Sequence, residues 1–169
     1  VLVCNHQGLF DILALLSYFP RPPTFVGKQE FFKVPIFGQV LDVMGHIAID
    51  RHDREKAVKS INKGAEKLKK IQQKIGFFPE GTRTRDGKLG DFKKGAFIFA
   101  IESQLPIVPI VIDGSYNILP PNTRRIYAGT IVVKVLPLVS VQDYTFEDRD
   151  KLKDLVYEKI KTGLEELKN

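Results

Sequence analysis

VLVCNHQGLFDILALLSYFPRPP, residues 1–23, decides how the rest of the chain is read. The apolar run 1–4 has the length and composition of a buried strand. A polar loop containing Gly8 follows, and 11–19 then carries apolar residues in a helical pattern until Pro20 stops it. A strand that feeds a helix through a short loop is the opening unit of an α/β sheet. The same alternation continues, with strand-like runs at 24–27, 47–49, 75–78, 107–112 and 126–136. Helical patterns lie at 53–74, 91–103 and 146–167, and the last begins with a capping-box pair, Thr145 and Asp148. In 53–74 the apolar residues recur at helical spacing with lysines on the opposite face, read here as a solvated face. We therefore expect one α/β domain over 1–169: a mixed, largely parallel open sheet with helices on both faces.

With 169 residues, 43% hydrophobic and 27% charged, the chain is long and apolar enough for a real core, which excludes a disordered chain. Its one cysteine, Cys4, cannot close an internal disulfide and fits a reducing compartment. A net charge of +6 favours anionic partners: a phospholipid surface, phosphorylated substrates or nucleic acid. The basic residues are not interleaved with aromatics in an RNA-binding pattern, so nucleic acid ranks last. No apolar run approaches the ~18 residues of a membrane-spanning helix. Several chemistries lack their motifs: there is no GxSxG elbow, no phosphate-binding GxxxxGK[ST], no GxGxxG and no zinc-ligand cluster.

The loop 5–11, NHQGLFD, holds a histidine and an aspartate. Were 6–11 all helix, the two side chains would stand ~140° apart and could not meet. With His6 at the strand end, a turn at Gly8 and Asp11 in the first helical turn, they can converge. Asp11 would then fix the imidazole tautomer and leave the other nitrogen as a base. A turn followed by an aspartate capping the helix is the competing reading. Cys4 reads as a small buried hydrophobe rather than a nucleophile.

Downstream, FFPEGTRTRDGKLG (77–90) follows a strand. Pro79 ends the pairing, and Glu80, Gly81, Thr82 and Arg83 come next, with Arg85 and Lys88 beyond. Exposed amides and guanidinium groups at the carboxyl end of a strand make a plausible phosphate site. GHIAIDR (45–51) ends in Arg51, which could reach the same edge, and its His46, like His52, reads as a turn or surface residue. IVPIVID (107–113) has a proline in an apolar run, read as a bulge or edge strand, and Asp113-Gly114-Ser115 as a turn. KQEFFKVPIFGQVL (28–41) is dense apolar bulk beside Lys28 and Lys33, either core or an exposed patch near lipid.

Together NHQGLFD, GHIAIDR, FPEGTR and IVPIVI, in that order, resemble the glycerolipid acyltransferase family. The branch they most resemble is the 1-acylglycerol-3-phosphate O-acyltransferases, or PlsC-type lysophosphatidic acid acyltransferases. The resemblance covers residues 1 to about 115 and implies a glycerol-3-phosphate acyltransferase-like fold. It implies acyl transfer from acyl-CoA or acyl carrier protein, as donor substrates, to the sn-2 hydroxyl of lysophosphatidic acid, with no bound cofactor and no metal. Siblings in the family use glycerol 3-phosphate or another lysophospholipid or lyso-aminolipid. By resemblance His6 is the general base and Asp11 orients it. Glu80, Gly81, Thr82 and Arg83, with Arg51, would bind the acceptor phosphate, and Val108 and Pro109 would line the acyl site. Many members carry serine where this chain has Gly8, and we expect activity to survive that difference.

Family members usually sit on membranes. We therefore expect a chain working at the cytoplasmic face of a membrane, peripheral or anchored by a segment that precedes these residues, since 1–4 already reads as a core strand. Two rivals remain: a hydrolase using the His–Asp pair with water, and a non-catalytic membrane-binding domain.

Overall fold

The structure, a computed structural model, describes residues 1–49, 73–123 and 125–168. The helix expected over 53–74 and the site residue Arg51 lie almost wholly or wholly outside the described residues. Among the described residues six strands form one sheet in the order β3-β2-β4-β1-β5-β6. They are β1 Leu2–Cys4, β2 Thr24–Lys28, β3 Ile47–Ile49, β4 Ile75–Phe77, β5 Val108–Asp113 and β6 Val132–Val135. All neighbouring pairs are parallel except β5 and β6. The mixed, largely parallel sheet is thus the one expected.

β1 lies in the middle, between β4 and β5, because all three of its residues are apolar and both its faces are covered. Its side chains alternate between two cores. Leu2 and Cys4 point to one face, where they meet Ile110 and Ile112 of β5, Phe25, and Leu15 of helix α1 (Asp11–Tyr18). Val3 and Val111 point to the other face. There they meet Phe97 and Ala100 of α4 (Gly95–Ser103) and Leu152, Val156, Ile160 and Leu164 of α6 (Arg149–Lys168), the one-turn helix α5 (Ser115–Ile118) lying between these two in the chain. The α6 residues recur every fourth position, which is the apolar stripe of a surface helix. α4 buries most of its circumference, as its Phe- and Ala-rich sequence requires.

Several boundaries differ from the sequence-based ones. The long run 126–136 yields only the four residues of β6, an edge strand whose Val132 and Val135 are exposed. Pro109 does not mark an edge: β5 is flanked on both sides, and Pro109 falls just beyond the last β6 pair, Ile110–Val135, where no ladder donor is needed. The 28–41 stretch forms two short helices, α2 (Gln29–Phe32) and α3 (Phe37–Val43). It is surface rather than core: Phe31, Val34, Ile36 and Val40 are exposed. Before α6 comes a 3-10 turn, Phe146–Asp148, where the Asp148 carboxylate accepts the Thr145 backbone N–H at 3.0 Å. That is the expected capping box.

For function the decisive feature is that β4, β1 and β5 are adjacent and parallel. The loops after all three therefore open on one edge of the sheet, where α/β folds hold ligands.

Candidate active site

The β1 strand is prolonged past Cys4 by a side chain. Asn5 Nδ2 donates to the Ile112 carbonyl at 2.8 Å, and the Ile112 N–H donates to Asn5 Oδ1 at 2.7 Å. The amide thus mimics a strand backbone and locks the His6 loop to the end of β5. One residue on, Gln7 Nε2 donates to Asp113 Oδ1 at 3.1 Å.

His6 is held by its backbone before its ring is used. Its N–H donates to Glu80 Oε1 at 2.7 Å, and its carbonyl accepts the Thr84 N–H at 2.9 Å. The imidazole stacks on Phe78, with ring centroids 4.1 Å apart and planes 23° apart. Its Nδ1 lies 2.6 Å from Asp11 Oδ2. An ionised carboxylate only accepts, so Nδ1 carries the proton and Nε2 is left with its lone pair. Asp11 is the first residue of α1, fully buried, while the His6 side chain is 17% exposed. That is the strand-end, turn and first-helical-turn arrangement the pairing needs.

The helix-cap reading fails on the same carboxylate. Asp11 makes no forward cap; its Oδ2 also accepts the Gln7 and Gly8 N–H groups, at 2.7 and 2.9 Å. Its Oδ1 accepts the Ser115 hydroxyl. A buried charge with four donors is well compensated. Gly8 serves a different purpose from the turn expected of it, because its φ is not positive. It is needed for close approach: a Cβ there would stand 2.8 Å from the Ser115 carbonyl oxygen.

Glu80, expected at the phosphate, faces the other way. Its two carboxylate oxygens accept the N–H groups of His6 and of Gly90, the latter at 2.9 Å, so it ties two loops together. A carboxylate engaged with buried amides does not approach an anion. Burial pushes its pKa from 4.5 up to about 7, against the lowering effect of the two backbone hydrogen bonds and with a further rise from the Asp11 charge. The folded state therefore binds this proton more tightly than the unfolded chain. The resulting stabilisation is complete below about pH 4.5 and is lost as pH rises through about 7. Comparing thermal midpoints of wild type and Glu80→Gln across that window tests this. The wild type is expected to lose stability relative to Glu80→Gln as pH rises through that window; a difference independent of pH would count against it.

Arg83 lines a cleft of about 570 Å³ together with Thr82, Thr84, Arg85, Gln7 and Gly8, the last two lying between His6 and Asp11 in the dyad loop. Residues 119–123 form its far wall. The Arg83 and Arg85 side chains are exposed and make no ion pair with a described residue. The Gly81 N–H closes a turn onto the Phe78 carbonyl at 3.0 Å. Val108 and Pro109 are not brought to the dyad. They pair with Leu2 and Val3 at the start of β5, four and three residues before His6, or roughly 10–13 Å back along the strand.

Other expectations resolve simply. Cys4 is buried, and burial with the Asp11 charge pushes its thiol pKa up, which leaves it inert. His46 accepts the Phe25 N–H at 2.9 Å in a half-buried turn, and burial lowers its pKa. Among the described residues no group of three His, Cys, Asp or Glu side chains could hold a metal, and no helix is long and apolar enough to cross a membrane.

A His–Asp dyad thus stands beside a cationic cleft at the carboxyl edge of a parallel sheet. The family model described as Acyltransferase matches residues 1–113, and the chain belongs to that family. The 1-acyl-sn-glycerol-3-phosphate acyltransferase of Saccharomyces cerevisiae is 31% identical over 169 residues, covering 99% of this chain and 56% of that protein. Its namesake from Escherichia coli is 34% identical over 155 residues, covering 92% of this chain and 61% of that protein. The crystal structure of the 1-acyl-sn-glycerophosphate (LPA) acyltransferase PlsC from Thermotoga maritima superposes with a TM-score of 0.79. It is 31% identical and covers 99% of this chain and 65% of that one. The chain therefore spans less than two thirds of the length of these relatives.

Proposed function

We propose that this chain transfers a fatty acyl group from an acyl-CoA or acyl carrier protein thioester to the sn-2 hydroxyl of lysophosphatidic acid, giving phosphatidic acid. The observation that carries this reading is the His6–Asp11 pair, whose loop residues Gln7 and Gly8 line the same cleft as Arg83 and Arg85. An alcohol is a weak nucleophile near neutral pH, and His6 Nε2 takes its proton as the oxygen attacks the thioester carbonyl. The C–S bond then breaks, and the departing thiolate takes up that proton. Asp11 keeps the ring in the required tautomer and stabilises the imidazolium formed on the way. A thioester is reactive enough that no covalent enzyme intermediate is needed, in keeping with an inert Cys4.

The acceptor phosphate sits, on this reading, against Arg83, whose planar fork suits a phosphate, with Arg85 beside it. Arg83→Ala is expected to raise the acceptor KM about 10–100-fold, the loss of one charge-assisted contact, with the donor KM unchanged. An unchanged acceptor KM would remove Arg83 from the phosphate site. Arg51 remains a proposed second contact.

The relatives' names, 1-acyl-sn-glycerol-3-phosphate acyltransferase, support lysophosphatidic acid as the acceptor. Steady-state rates with lysophosphatidic acid, glycerol 3-phosphate and larger lysolipids would test this, and lysophosphatidic acid is expected to be used best. Work at the cytoplasmic face of a membrane is part of the same proposal. It is supported by the exposed Phe31, Val34, Ile36, Val40 and Val43 on and around α2 and α3, and by the net charge of +6.

A further inference from the structure

A carboxylate turns freely about its last torsion, which is broad and two-fold. Three donors meet Asp11 Oδ2: His6 Nδ1 and the N–H groups of Gln7 and Gly8. They fix one point of the group and leave its plane open. The second point is Oδ1, and there the donor is the hydroxyl of Ser115, 104 residues along the chain. Ser115 is fully buried, so water does not substitute for it.

The fold delivers this hydroxyl deliberately. The Asn5–Ile112 pair of bonds and the Gln7–Asp113 bond set the register between the β1 and β5 loops. Gly114 then takes a φ of 91°, which turns the chain back under the dyad loop. Gly8, lacking a side chain, leaves room for Ser115, whose Oγ is 2.9 Å from where a Cβ would be. Ser115 lies beyond residue 113, where the family model's match ends.

We propose that Ser115 is a positioning residue for the catalytic pair, its hydroxyl holding the Asp11 carboxylate in the plane in which it meets His6 Nδ1. The kinetic part of this rests on His6 acting as the general base; the geometric part does not.

The test uses the complete protein with ¹⁵N-labelled histidine and the variant Ser115→Ala. In the wild type the His6 Nδ1 proton is expected downfield, as a short hydrogen bond to a carboxylate requires. In Ser115→Ala that signal is expected to move upfield or be lost to exchange, while His46 and His52 signals stay in place. The value of kcat is expected to fall about 10–100-fold, with the acceptor KM changed less than about two-fold. A folded Ser115→Ala with the His6 signal and kcat of the wild type would overturn the proposal. If Ser115→Ala does not fold, Ser115→Thr, which keeps the hydroxyl, decides. A wild-type His6 signal supports the role, and a folded protein that has lost the signal overturns it. A protein that transfers no acyl group to any acceptor would refute the proposed function, yet the His6 signal would still decide the part played by Ser115.

Discussion

Replacing His6 with alanine is expected to lower kcat for acyl transfer by about 10²–10⁴-fold, the usual contribution of a positioned general base. The fold should survive. His6 makes its ties to the rest of the site through its backbone, to Glu80 and Thr84, and those remain in the variant. Asp11 loses one of four donors and keeps the Gln7 and Gly8 N–H groups and the Ser115 hydroxyl. What disappears is the ring stacked on Phe78, a partly exposed contact whose loss should cost about 1 kcal/mol. A thermal midpoint close to wild type, with the rate collapsed, separates the chemical role from a structural one. Acceptor and donor KM values should change little, because nothing assigned to ground-state binding is removed. Full activity in a folded His6→Ala would return His6 and Asp11 to a merely structural turn.

The largest effect on stability is expected from Gly114→Ala. An L-residue at a φ of 91° carries a backbone cost of roughly 1–2 kcal/mol. The new Cβ would also stand 2.1 Å from the Thr130 carbonyl oxygen, and relieving such an overlap typically costs about 1–3 kcal/mol. A loss of roughly 2–5 kcal/mol should appear as a lower denaturant midpoint at unchanged slope. Activity should fall as well, because relief of the overlap shifts the turn that carries Ser115 to Asp11. A variant with wild-type stability would show that the turn is not as tight as drawn.

Much of the fold could be read from the chain because its local signals agree with its global arrangement. Short apolar runs alternate with helical periods, and that alone implies a parallel sheet with covered faces. Strand order could not be read, since nothing in 1–4 says that it will lie between 75–77 and 108–113. The overestimate of β6 has a similar cause. Residues 126–136 are strand-like in composition, but only Val132–Val135 form a strand, paired with β5.

The site divides along the same line. His6 and Asp11 were legible because one loop carries both and Gly8 sits between them. Ser115 was not, because it joins them only through the β1–β5 pairing, and in sequence it is one residue of a turn. Glu80 shows the complementary difficulty: the sequence puts a carboxylate next to Arg83 but cannot say that it turns inward to the amides of His6 and Gly90. Val108 and Pro109 were placed by resemblance, and the rise of the strand carries them away from the dyad. For 28–41, composition left core and surface open, and it is exposure in the fold that separates them.

The most direct measurement is product analysis with the complete protein in detergent or liposomes, given labelled acyl-CoA or acyl carrier protein and lysophosphatidic acid. The expected result is labelled phosphatidic acid, formed in step with free thiol, and little fatty acid released when the acceptor is left out. Release of fatty acid at the same rate with or without the acceptor would contradict acyl transfer and identify water as the nucleophile that His6 serves.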